Sequence, residues 1–126
     1  MYNLMVIDDN VEMLNALKLV LEANDYQVLC VQNYQKAHQA ITQFAPHLII
    51  VDILLSGFDG RELCKEIKST QTIPVILMSA LWDAGKSAAE SNADAFIKKP
   101  FDLDELTTLI EKLLTAYYGQ LQRSIN

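Results

Sequence analysis

The sequence predicts a doubly wound α/β fold in which a five-stranded parallel sheet is covered by helices on both faces. Short β-rich apolar runs alternate with helix-spaced stretches along the chain, five of each. Runs such as Leu48-Ile49-Ile50-Val51 and Val75-Ile76-Leu77-Met78 are apolar throughout, as central parallel strands buried on both faces require. Polar residues suited to chemistry follow these runs directly, and in a doubly wound sheet the carboxyl ends of the strands form the binding rim. With 126 residues and an apolar content of 51%, the chain suits one domain with its own core.

Strands are expected at 3–7, 26–31, 47–52, 74–79 and 94–98. In the first helical stretch Val11, Leu14, Leu17, Val20 and Leu21 share one face, opposite Glu12, Asn15, Lys18 and Glu22, and the helix should end near Asn24 and Asp25. The mixed composition of 26–31 suits an edge strand. Residues 81–92, with Gly85 and few large apolar side chains, predict a short or frayed fourth helix. In the last helix Asp102 and Glu105 have capping-box spacing ahead of Leu106, Leu109, Ile110, Leu113 and Leu114, and Gly119 is the expected stop. Residues 1–119 therefore form the expected domain, and 120–126 a polar tail.

Sixteen acidic residues against ten basic ones give a formal charge of -6, which argues against direct contact with nucleic acid or an anionic membrane. No apolar run approaches the roughly 18 residues of a membrane span, and Met1 leads straight into strand-like sequence. A cytoplasmic protein is the expectation. Cys30 and Cys64 show no metal or redox spacing and are expected to be buried, inert thiols. His38 reads as a helix-surface residue and His47 as a turn residue after Pro46.

Asp8 and Asp9 follow the first strand, Asp52 the third, Ser79 the fourth and Lys99 the fifth. Gathered at one rim, three carboxylates would raise each other's proton affinity unless a hard divalent cation sat among them. A lysine and a hydroxyl nearby suit an anion carried beside that metal. The pattern predicts a Mg²⁺-dependent phosphoryl site.

Asp8-Asp9, the run Val51-Asp52-Ile53-Leu54-Leu55-Ser56-Gly57-Phe58-Asp59-Gly60, the run Pro74-Val75-Ile76-Leu77-Met78-Ser79-Ala80 and the run Ala93-Asp94-Ala95-Phe96-Ile97-Lys98-Lys99-Pro100-Phe101 stand in that order. Together they resemble the receiver domain of bacterial response regulators, over residues 3–118. The resemblance implies a flavodoxin-like sheet of order 2-1-3-4-5 in a three-layer sandwich with five helices. It implies that Asp52 accepts a phosphoryl group from a sensor histidine kinase or a histidine phosphotransfer protein. Mg²⁺ would be held by Asp8, Asp9, Asp52 and the backbone carbonyl of Leu54. Lys99, the Ser79 hydroxyl and the Ala80 N–H would bind phosphoryl oxygens, Phe96 would be the switch aromatic, and Lys99-Pro100 would be cis. The switched surface would then engage a downstream protein target, with a homodimer as a further possibility.

Three departures bear on this reading. Ser56 stands where many receivers carry proline, which should loosen the loop after Asp52. Phe96 lacks the tyrosine hydroxyl. The short segment 81–92 weakens the usual dimer face. Trp82 reads as local core or as a partner anchor, and Leu54 and Leu81 could shield a phosphoryl group from water and slow its decay. The functional alternatives are a receiver acting alone, the N-terminal receiver of a longer transcriptional regulator, and an interaction module independent of phosphorylation. The last is disfavoured because every site residue is present. Enzyme activity beyond gain and loss of its own phosphoryl group is not expected: an aspartyl-phosphate hydrolase would need an acid two residues after the nucleophile, where Leu54 stands.

Overall fold

Successive residues of the central strands point to opposite faces of one sheet, and both faces are dry. In the computed structural model, residues 1–80 and 90–125 are described, with side chains through Gly119. The elements are β1 (Asn3–Ile7), α1 (Val11–Ala23), β2 (Gln27–Val31), α2 (Ala37–Phe44), β3 (Leu48–Asp52), β4 (Leu54–Leu55), β5 (Phe58–Asp59), α3 (Gly60–Thr70), β6 (Val75–Ser79), β7 (Ala95–Lys98) and α4 (Leu103–Ile125). A 3₁₀ turn, Tyr34–Lys36, precedes α2.

Five strands form a parallel sheet in the order β2-β1-β3-β6-β7. This is the expected order 2-1-3-4-5, with β6 and β7 as the fourth and fifth strands of the main sheet. On one face Met5, Ile7, Ile49, Val51, Val75 and Leu77 meet Ile41 of α2 and Leu63, Cys64 and Ile67 of α3. On the other, Leu4, Val6, Leu48, Ile50, Ile76 and Met78 meet Leu14, Leu17 and Leu21 of α1 and Leu106, Ile110 and Leu114 of α4. This alternation is what a doubly wound sheet requires, and the fold is flavodoxin-like.

Several expectations change. Among the described residues there are four α-helices, not five; the expected fourth helix, with Gly85 and Trp82, falls largely on 81–89, outside the described residues, as does Leu81. Helix α4 does not stop at Gly119 but runs on to Ile125. A terminating glycine normally takes a left-handed conformation, and among the described residues the glycine with positive φ is Gly57, not Gly119; an interior glycine costs a helix only about 1 kcal/mol. The segment expected as a tail therefore continues the helix through residue 125. Val11, expected on the buried face of α1, is exposed in its first turn. Cys64 is buried but Cys30 only partly so, its thiol donating to the Leu14 carbonyl over 3.5 Å. An antiparallel two-stranded hairpin, β4–β5, follows Asp52; the sequence reading did not foresee it. No described helix is long and apolar enough to cross a membrane.

Candidate functional site

β1, β3, β6 and β7 run parallel, so their carboxyl ends bring Asp8, Asp9, Asp52, Ser79 and Lys99 to one rim. Asp8 is fully buried. Its Oδ1 accepts the Asn10 N–H over 3.0 Å, while the Asn10 side chain caps α1 by accepting from the Met13 N–H. Asp52, the last residue of β3, is buried; its Oδ1 accepts the Leu54 N–H over 3.0 Å and its Oδ2 accepts from Lys99 Nζ over 2.7 Å. Lys99 is placed by its backbone N–H, which donates to the Ser79 carbonyl, and precedes a cis peptide to Pro100.

The Lys99 ammonium also lies 3.6 Å from Asp8 Oδ2, too far for a hydrogen bond, and that buried oxygen has no hydrogen-bond partner among the described residues. Burial, chiefly, pushes the Asp8 carboxyl up to about 6; the Asn10 N–H opposes the shift, the negative charge of Asp52 adds to it, and Lys99 opposes it. Asp9 is half-exposed and shifted the other way. The Ser56 hydroxyl donates to Asp9 Oδ2 over 2.5 Å and is the main reason its carboxyl lies below the usual range.

Ser56 was expected to loosen its loop; instead it ties that loop to the segment after β1. Ser79 is fully buried at the end of β6, and Ala80 beside it is exposed. Phe96 is half-buried against the apolar layer that includes α2 and α3. Asp8, Asp52 and Lys99 thus form one charge cluster, Asp9 reaches to Ser56, and Phe96 lies on the sheet beneath the rim. Among the described residues, no group of three or more His, Cys, Asp or Glu side chains is arranged to hold a metal ion. The donor chemistry nevertheless suits a cation: a buried carboxylate oxygen that accepts no hydrogen bond from the described residues, beside two further carboxylates, is the kind of site a hard divalent ion satisfies.

Some supporting residues were not singled out from sequence. A Cβ on Gly60 would lie 2.0 Å from the Asp52 carbonyl oxygen, so only glycine lets the start of α3 approach the end of β3. Its N–H donates to the Ile53 carbonyl over 2.7 Å. The Asp-Gly pair in the sequence was a signal for this close approach, since Asp59 caps α3 through the Arg61 N–H. The two histidines lie outside the rim: His38 is exposed and pairs with Glu66, while His47 packs between Tyr2 and Tyr118.

The family model for the response regulator receiver domain matches residues 4–111. The sensory transduction protein BceR of Halalkalibacterium halodurans is 32% identical over 121 residues, covering 94% of this chain; the chain spans about half of that protein, 52% of its length. A two-component response regulator from Clostridium difficile superposes with a TM-score of 0.85 at 27% identity, over 90% of this chain and 96% of that one. The N-terminal domain of the nisin resistance regulator NsrR, a lantibiotic response regulator, gives 0.83 at 32% identity, over 90% and 98%. The order of the sheet, the carboxylates and lysine at its rim, and these likenesses agree: the chain belongs to the response regulator receiver domain family, the receivers of two-component signalling.

Proposed function

We propose that Asp52 accepts a phosphoryl group from a phosphohistidine on a partner protein and that the resulting aspartyl phosphate switches a protein-binding surface. The observation that carries this reading is the Lys99 ammonium held 2.7 Å from Asp52 and 3.6 Å from Asp8. A lysine in that position neutralises charge at the carboxylate that attacks and at the phosphoryl oxygens that arrive. In the transfer, an Asp52 oxygen forms the new bond to phosphorus, the P–N bond to the partner's histidine breaks, and that nitrogen keeps the bonding pair.

The Leu54 N–H holds one Asp52 oxygen, which leaves Oδ2, the oxygen facing Lys99, as the one aimed at the rim. Asp8, Asp9, Asp52 and the Leu54 carbonyl are the groups that would hold Mg²⁺, whose chemistry is to neutralise the phosphoryl oxygens. In this reading the Ser79 hydroxyl and the Ala80 N–H would receive a phosphoryl oxygen. Their engagement would draw in the segment after β6 and let Phe96 turn toward the space it leaves. The size of this switch is bounded by how much better the phosphoryl group binds one arrangement than the other.

A protein donor fits the surroundings. An apolar cleft of about 360 Å³ lies beside Lys99, bordered by Met13, Ala16, Leu17, Pro100, Phe101 and Leu103, and would receive the apolar face of a histidine kinase or phosphotransfer protein. The same chemistry serves a receiver acting alone or one within a longer regulator that engages a downstream target. Turnover of an outside substrate is no part of this reading, since Leu54 supplies no acid or base.

The test is intact-protein mass after incubation with a small-molecule phosphodonor and Mg²⁺, beside Asp52→Asn and a metal-free control. One phosphoryl adduct that needs both Asp52 and Mg²⁺ is the expected result. An unmodified native protein would overturn the reading.

A further inference from the structure

Ser56 sits in the turn of the β4–β5 hairpin and reaches across to the loop after β1, where its hydroxyl donates to Asp9 Oδ2 over 2.5 Å. The hairpin that presents it is anchored from several sides. Leu55 is buried in the core, and Phe58 stacks on Tyr34 with ring centroids 4.3 Å apart and planes within 4°. Gly57, at φ 71°, makes the turn. The hydroxyl is therefore offered from a held position, and Asp9 is the carboxylate of the rim that it meets.

We infer that Ser56 is a positioning residue for Asp9 whose hydroxyl competes with a divalent cation for the Asp9 carboxylate, so that it lowers the cation affinity of the site and couples cation binding to release of the hairpin turn. The inference rests on the proposed function, in which Asp9 is a cation ligand. An O–H donor occupies a lone pair and withdraws charge from the oxygen that accepts it. A hard dication seeks those same lone pairs at full charge. The Ser56 hydroxyl already occupies one lone pair of Asp9 Oδ2 over 2.5 Å, and a cation bound to that oxygen has to share or displace it. Ser56 is exposed and the bond faces water, so the competition is modest and reversible.

The experiment is a calorimetric titration with Mg²⁺ of native protein, Ser56→Ala, Ser56→Thr and Asp9→Asn, with the Gly57 amide resonance followed by NMR in the same titrations. Ser56→Ala should bind Mg²⁺ about threefold more tightly or better, the scale of an exposed charge-assisted hydrogen bond. Ser56→Thr, which keeps the hydroxyl, should retain native affinity. The Gly57 resonance should move on saturation in native protein and move less in Ser56→Ala. Equal or weaker binding by Ser56→Ala would overturn the inference. If native protein and Ser56→Ala bind alike and Asp9→Asn does not bind, the inference alone falls; if native protein shows no Asp9-dependent binding, the cation reading falls with it.

Discussion

Lys99 Nζ lies 2.7 Å from Asp52 Oδ2 and 3.6 Å from Asp8 Oδ2, so one ammonium group bridges the ends of β1 and β3. Lys99 itself reaches this position from the end of β7, three strands away from β1 in the sheet. Removing it leaves two buried carboxylates facing each other. Lys99→Ala should therefore take up phosphoryl groups about 10²-fold more slowly, as loss of an aligned charge at a reacting centre commonly does. Time courses of intact mass with a small phosphodonor check this. An unchanged rate would show that Lys99 is only a structural counter-ion.

Asp8 sets a pH dependence whose sign is opposite to that of an ordinary paired carboxylate. Its pKa rises from 3.8 to about 6 on folding, mainly through burial. The folded state therefore binds the extra proton between those values, and the stability this group contributes is lost as pH rises from about 4 to about 6. For a shift of this size the change is about 3 kcal/mol at most. Denaturant titrations without metal should show native protein losing more stability than Asp8→Asn across that window. Added Mg²⁺ should restore native stability above pH 6 and leave the variant little changed.

Gly60→Ala should be severely destabilising. The new Cβ would sit 2.0 Å from the Asp52 carbonyl oxygen, a backbone atom of a central strand with nowhere to retreat. A cost of about 3 kcal/mol or more is expected for overpacking of this kind. Because relief would displace Asp52 itself, phosphoryl uptake should fall with stability; a chemical melt and a mass time course on the same sample test both. Gly57→Ala, at a position with open space, would show only the smaller strain of positive φ.

At the opposite end of the sheet, His47 works in the usual acid-labile direction. Its Nδ1 accepts the Asn3 N–H over 2.9 Å, and the ring packs edge-on against Tyr2 and Tyr118. Burial, with the N-terminal amine adding, holds its pKa below the ordinary 6.5. The stability it contributes is complete above 6.5 and lost as pH falls through the lower folded value. Native protein should therefore lose more stability than His47→Gln between pH 7 and 5. Tyr118→Phe, which deletes the hydrogen bond to the His47 carbonyl, should cost about 1 kcal/mol at either pH.

Much of the fold was legible because burial on two faces leaves a direct mark on composition. The runs around Ile50 and Ile76 read as central strands, and their ends located Asp52 and Ser79. Strand ends likewise put Asp8, Asp9 and Lys99 at the same rim, and the four matching motifs carried their roles. Less legible were features that depend on distance between segments far apart in sequence. Gly119 read as a stop because propensity is local, yet its backbone continues α4. Val11 matched the buried face of α1 by period alone, yet it stands exposed while Leu14, three residues on, is buried.

The amino-acid sequence by itself determined the alternation of strands and helices, the doubly covered sheet and the kinds of residue at its carboxyl rim, since periodicity, capping and apolar runs are properties of neighbouring residues. Only the tertiary structure decided which of those residues touch: that Lys99 bridges Asp52 and Asp8, that one Asp8 oxygen is buried without a hydrogen-bond partner among the described residues, that Ser56 holds Asp9 across 47 positions of chain, and that Gly60 must lack a side chain. Hydrogen bonds and steric exclusion act over about 3 Å, and at that range the outcome is set by how the layers pack, which no local pattern of residues records.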